Sequence, residues 1–166
     1  MSLTELNDSG DAEVRQWLTQ CCTAEAWVDG LLARRPFADR AELVAAADEV
    51  WAMLGEADYL EAFDGHPQIG DVDSLKARYA NTKQLAAGEQ AAVGEAPDEV
   101  IARLAEGNRA YADKFGFIFI VCATGKSAGE MLALLEARLP NSREQELVNA
   151  AEEQRKIFQI RLEKLL

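Results

Sequence analysis

Gly116-Phe117-Ile118-Phe119-Ile120-Val121-Cys122-Ala123-Thr124-Gly125 is the stretch on which the fold class turns. Periodicity alone leaves a short apolar run between glycines open as a buried strand or a buried helical segment. The rest of the chain decides. No other run is strand-like, and a strand with nothing to pair against is not stable. The class is therefore all-α, a single compact bundle of about eight helices in one domain covering residues 1–166.

Outward from that run, helical spacing dominates. Downstream, Ser127 caps a helix that continues to Leu139, and Pro140-Asn141-Ser142 makes a turn. Ser142 to Leu166 reads as one long helix, with Ser142 and Gln145 offering a capping box. Upstream, Pro97-Asp98-Glu99 opens a helix whose inner stripe is Ile101, Leu104, Ala105, Asn108, Tyr111 and Ala112. An alanine-rich helix is expected from Ser74 to about Val93. Before it, Phe63-Asp64-Gly65-His66-Pro67-Gln68-Ile69-Gly70-Asp71 cannot be a helix interior, because two glycines and a proline surround the histidine. Tyr59 and Phe63 close a short helix. Leu43, Ala46, Ala47, Val50 and Leu54 form another stripe, for which Gly55 is the expected C-cap. A helix over Ala24–Leu32 ends near Arg35-Pro36, since the residue before proline avoids helical geometry. Val14, Trp17, Leu18, Cys21 and Cys22 step as an amphipathic helix, and Met1–Leu3 carry no weight in the reading.

Composition narrows function by exclusion. The 166 residues carry a net charge of −12, from 29 acidic against 17 basic side chains. Such a field repels nucleic acid and anionic membrane, and no local basic patch overrides it. Phe117–Ala123, the longest apolar run, is far too short to cross a bilayer, and no secretory pattern opens the chain, so a cytoplasmic protein is expected. Cys21, Cys22 and Cys122 form neither a disulfide framework nor a metal-spaced cluster, so buried reduced thiols and no metal site are expected. Any anionic ligand must meet a few local cations.

Four features bear on chemistry. Thr124-Gly125-Lys126-Ser127 looks like the tail of a phosphate loop, but the motif needs glycine at position 120, where this chain has Ile120. His66 is the only histidine and sits in a rigid Gly/Pro-framed loop; a surface or capping role and a catalytic role both fit. Glu89-Gln90 fits an exposed face of an alanine-rich helix, with Gly88 the odd residue that invites close approach. Arg161 lies on or beside an apolar stripe with Ile157, Ile160, Lys164 and Leu165. It needs an anion there, either an internal carboxylate or a ligand.

Taken in order, several segments resemble the 2-oxo-4-hydroxy-4-carboxy-5-ureidoimidazoline (OHCU) decarboxylase family. They are Arg34-Arg35-Pro36-Phe37, His66-Pro67-Gln68-Ile69-Gly70 and Glu89-Gln90, then Asn108, Tyr111, Lys114-Phe115-Gly116-Phe117, Phe119 and Cys122. Arg138-Leu139, Asn141, Glu146, Ala150, Glu152, Lys156-Ile157 and Arg161-Leu162 complete the set. The resemblance implies an all-helical, cofactor-free enzyme of urate breakdown that converts OHCU to (S)-allantoin and carbon dioxide, with a homodimer possible. It implies that His66 is the acid/base residue, with Glu89 a second catalytic candidate, and that Pro67 shapes the pocket. Glu89 and Gln90 would bind the ureido and ring groups, the backbone of Phe119, Ile120, Val121, Cys122 and Ala123 would line the pocket, and Arg161 would hold the substrate anion. Family members often carry serine where this chain has Ala86, so a backbone or water contact would replace that hydroxyl. The competing expectations are a non-enzymatic helical interaction module, with His66 and Arg161 far apart, and a sibling enzyme acting on a related ureide.

Overall fold

A computed structural model describes residues 1–67, 72–77 and 98–166. All regular structure among the described residues is helical, as the periodicity predicts: α1 (Leu3–Asp8), α2 (Asp11–Cys21), α3 (Glu25–Arg34), α4 (Arg40–Ala52), α5 (Glu56–Asp64), α6 (72–77), α7 (Asp98–Phe115), α8 (Ala128–Arg138) and α9 (Arg143–Leu165). The expected helix from Ser74 to Val93 lies outside the described residues beyond position 77. Two compact units emerge, one of Met1–His66 with Asn149–Leu166, the other of Pro67–Val148.

The first unit holds α1–α5 and most of α9, with α3 packed against α2, α4 and α5. Its core is aromatic. Trp27 and Phe158 have ring centroids 4.9 Å apart, and Trp51 meets Phe158 edge-on at 5.6 Å. Burying indoles requires partners for their N–H groups. Trp27 Nε1 donates to Ala47 O (3.2 Å) and Trp51 Nε1 to Ala151 O (3.1 Å). Truncating Phe158, which is 0% exposed, to alanine would cost about 3–5 kcal/mol.

Local signals account for most helix ends. Arg35, with ψ 148°, closes α3 just before Pro36, as the pre-proline restriction demands. Its guanidinium then ties the α1–α2 junction by donating to Leu6 O (2.9 Å), Ser9 O (2.8 Å) and the Asp11 carboxylate. Helix α1, which is not among the helices expected from the sequence, is closed at its start by a Ser2–Glu5 capping box. Gly55 differs from expectation. Met53 ends α4, while Gly55 sits in extended geometry as the N-cap of α5 and donates its N–H to Asp58 Oδ2 (3.2 Å). Met53 already closes α4, so the glycine serves the second helix.

The second unit contains α6–α8 and the first turns of α9, with α7 packed on α8. The run Phe117–Ala123 is neither strand nor helix: it crosses the unit as irregular backbone, with Phe117, Ile120 and Cys122 buried. Its bounding glycines explain its shape. Gly116 (φ 79°) and Gly125 (φ 75°) adopt the left-handed region, which side-chain-bearing residues enter only with strain.

Candidate functional site

Helix α5 delivers His66. The helix stops at Gly65, and the next two amides fold back, Gly65 N–H onto Ala62 O (3.2 Å) and His66 N–H onto Phe63 O (3.1 Å). Thr23, in the α2–α3 link, lies against this turn, with its hydroxyl donating to Glu61 O (3.1 Å). Only glycine fits at position 65, where a Cβ would fall 2.1 Å from Thr23 Oγ1. The turn is therefore clamped from outside rather than merely capped.

The half-buried His66 ring meets Gln154 on α9, with Nε2 2.5 Å from Oε1. Burial lowers the affinity of the ring for a second proton, the Gln154 hydrogen bond partly restores it, and the nearby Arg161 charge lowers it again. The net direction is downward from 6.5, which leaves the imidazole neutral at neutral pH. A neutral ring can accept a proton.

Arg161 lies two turns beyond Gln154 on α9. Its one hydrogen bond among the described residues runs from Nη1 to Cys21 O (3.3 Å), and no carboxylate there pairs with it. The internal ion pair that the sequence left open is thus not found among those residues. Beside it, burial pushes the Cys21 thiol up to about 11 and the Cys22 thiol up to about 12, so both stay protonated. Arg161 opens onto a cleft of about 600 Å³ whose walls include Cys21, Thr23, Gly65 and Lys164. Within the first unit, His66 lies within electrostatic range of Arg161, which no carboxylate among the described residues pairs, and it follows directly on Gly65 in the cleft wall without itself lining the cleft.

The second unit holds the segment from Phe119 to Ala123. Arg138 Nη1 donates to Ile120 O (2.7 Å), and its guanidinium lies 4.6 Å from the centre of the Phe119 ring. Lys126, the lysine of the phosphate-loop look-alike, donates to Cys122 O (2.7 Å), while Ser127 caps α8 by accepting from Glu130 N–H (3.2 Å). Behind the segment is Glu146, 0% exposed, whose carboxylate accepts from Tyr111 Oη (2.6 Å), Arg138 Nε (2.7 Å) and Asn141 Nδ2 (2.9 Å). Burial and that carboxylate push the Tyr111 hydroxyl well above its usual range. This saturated network holds the backbone of an otherwise irregular run.

Of the residues predicted from sequence, His66 and Arg161 come together in the first unit. Pro67 is exposed, and Phe119, Ile120, Val121, Cys122 and Ala123 belong to the second unit. Ala86, Glu89 and Gln90 lie outside the described residues. No group of acidic, cysteine and histidine side chains suited to a metal occurs among the described residues. Sequence reasoning missed Gln154. The available signal was its register: Ala150, Gln154, Phe158 and Leu162 recur every four residues, and all are buried, so one amide occupies a core position.

Comparison with known proteins adds an independent line. The family model described as OHCU decarboxylase matches residues 7–163. The chain is 34% identical over 145 residues to the uric acid degradation bifunctional protein TTL of Arabidopsis thaliana, covering 87% of this chain and 45% of that protein. It is 36% identical over 136 residues to the 2-oxo-4-hydroxy-4-carboxy-5-ureidoimidazoline decarboxylase of Amia calva, covering 80% of this chain and 75% of that protein. The chain thus spans under half the length of the bifunctional relative. A crystal structure of OHCU decarboxylase in the presence of (S)-allantoin superposes with a TM-score of 0.73 at 33% identity, covering 91% of this chain and 96% of the other. An (S)-allantoin synthase structure shares the fold at 20% identity, with a TM-score of 0.75, over 100% of this chain and 54% of the other.

Proposed function

We propose, on the premise that this chain belongs to the OHCU decarboxylase family, that it converts OHCU to (S)-allantoin and carbon dioxide as part of urate degradation. The observation that carries the reading is that the sole histidine, held neutral, lies within electrostatic range of an arginine that no carboxylate among the described residues pairs. A helical interaction module has no need to keep those two side chains together.

The reaction suits such a pair. When the bond to the carboxylate breaks, its electron pair enters the unsaturated ring, so the substrate supplies its own electron sink. The hydroxyl on the same carbon becomes a carbonyl as it yields its proton, the neighbouring ureido-bearing carbon takes a proton on one face, and the ring nitrogen that received the electron pair takes a second proton from water. His66 acts as the base toward the hydroxyl and as the relay that returns a proton to carbon. Arg161 orients the substrate anion, and its charge is the local exception that a −12 protein requires. Pro67 shapes the pocket, the backbone of Phe119–Ala123 lines it, and Glu89 and Gln90 hold the ureido and ring groups, with Glu89 a candidate to share the proton transfer. At Ala86 a backbone or water contact stands in for a hydroxyl. A cytoplasmic location and a homodimer belong to the same proposal.

The test uses OHCU generated in the cuvette from urate by uricase and hydroxyisourate hydrolase, followed by circular dichroism. The chain should speed the appearance of (S)-allantoin over the spontaneous background, and His66→Ala should abolish the gain. Equal rates with both proteins would overturn the assignment of His66, and no gain with either would overturn the reaction.

A further inference from the structure

We propose that Gln154 is a positioning residue that holds His66 as its Nε2–H tautomer, leaving Nδ1 as the nitrogen that exchanges protons with the substrate. The inference deepens the proposed function and rests on it only for the role of Nδ1.

Gln154 is 0% exposed, in register with Ala150, Phe158 and Leu162. An amide at such a position costs stability unless it is hydrogen-bonded. The compensation is incomplete: Oε1 meets His66 at 2.5 Å, while Nε2 is buried with no partner among the described residues. A residue present only for packing would be served better by leucine or methionine, which leave no orphan donor. The single satisfied atom faces the only histidine. A carbonyl oxygen accepts and cannot donate, so Nε2 must carry the hydrogen and Nδ1 the lone pair. This is also the tautomer that an unconstrained histidine side chain favours. Among the described residues, no hydrogen bond engages Nδ1.

The partner is an amide rather than a carboxylate for a chemical reason. A glutamate here would stabilise the imidazolium and raise the ring's titration midpoint, so that less of the ring is neutral and able to take a proton. Glutamine orients the ring to the same degree without a charge. The other groups around it agree. Arg161 is the one charged side chain among the described residues that bears on the ring, and it disfavours the imidazolium. The neighbouring thiols, Cys21 and Cys22, remain protonated and neutral.

Long-range ¹H–¹⁵N correlation spectra provide a test that needs no substrate, because His66 supplies the only imidazole signals in the chain. Above the ring's titration range, the wild type should show a protonated Nε2 and an unprotonated Nδ1. Gln154→Leu should let the Nδ1–H form appear as a minor exchanging species beside a still dominant Nε2–H, and kcat for OHCU should fall roughly tenfold with KM changed less than about twofold. Gln154→Glu, which keeps the acceptor, should restore the Nε2–H tautomer and raise the ring's titration midpoint by about one unit or more. The acid limb of its kcat profile should move up in step. A purely structural glutamine would leave tautomer and profile unmoved. A wild-type spectrum with protonated Nδ1, or an unaltered Nε2–H tautomer in Gln154→Leu, overturns the proposal whether or not the chain turns over OHCU.

Discussion

Replacing Gly65 with alanine should damage both stability and turnover, and the geometry says by how much. The new Cβ would lie 2.1 Å from Thr23 Oγ1, 2.6 Å from Thr23 Cγ2 and 2.9 Å from Thr23 Cβ. Rotating the threonine side chain relieves at most one of the first two conflicts, because its two γ atoms always fill two of the three staggered positions. It cannot remove the third, because Cβ does not move with χ1, and Cβ atoms essentially never approach within 3.0 Å of another heavy atom. The backbone of the turn must therefore shift, at the cost of overpacking, about 1–3 kcal/mol. Rotating Thr23 also breaks its hydrogen bond to Glu61 O, worth about 1 kcal/mol. A loss of about 2–4 kcal/mol in urea unfolding is expected, a large part of the ~5–15 kcal/mol that holds a domain together. Since the displaced turn carries His66, kcat for OHCU should drop about tenfold, on the scale by which sub-ångström misplacement degrades catalysis. Thr23→Ala in the Gly65→Ala background removes the two shortest conflicts, so the pair should be less destabilising than the two changes taken separately by about 1 kcal/mol. A Gly65→Ala protein within ~0.5 kcal/mol of wild type and with unchanged kcat would refute the clamp, as would strict additivity.

Arg161→Lys keeps the charge but loses the planar two-pronged donor, so kcat/KM for OHCU should fall roughly tenfold or more; an unchanged value would return Arg161 to a structural role. Glu146→Gln leaves Arg138 buried without its carboxylate and should lower stability by about 3–5 kcal/mol in chemical denaturation, while a loss under ~1 kcal/mol would show that the network is dispensable. The pH dependence of stability should carry the signature of His66. Its folded-state pKa lies below the unfolded value of ~6.5, so the unfolded chain binds more protons in that window. The stability of wild type relative to His66→Asn should be constant above ~pH 7 and decline as pH falls below ~6.5, by at most about 1.4 kcal/mol per unit; a relative gain on acidification would contradict the shift.

How much of this was legible beforehand follows from the range of each signal. Helix identity and caps are local, so Arg35 before Pro36, Ser127 before α8 and the stripe on α2 could be read directly. Gly55 was assigned to the wrong helix end because composition at a two-helix junction does not say which helix claims the residue. The apolar run Phe117–Ala123 could be recognised as non-strand by elimination, but not as irregular backbone. What keeps it irregular is long-range, in Arg138 on Ile120 O and in Glu146 behind Arg138. His66 and Arg161 stood out as a lone histidine in a turn and a cation on an apolar stripe. Gln154 did not, since a glutamine among Glu152, Glu153, Arg155 and Lys156 looks like one more polar residue until its four-residue register is checked against Phe158 and Leu162.

The partners that the fold gives its ionisable groups separate into two kinds. Arg138 and Arg35 hold backbone in place, and each has a carboxylate, Glu146 and Asp11 respectively. Arg161 and His66 instead have neutral partners, a Cys21 carbonyl and the Gln154 amide. The chain has 29 acidic residues, and among the described ones no carboxylate pairs with either. A carboxylate there would be costly for the chemistry. An arginine already paired must break that pair before it can hold a substrate anion, and a carboxylate beside a histidine stabilises the imidazolium, so that less of the ring is neutral and ready to take a proton. Neutral partners orient both groups and leave the cation and the base open to the ligand.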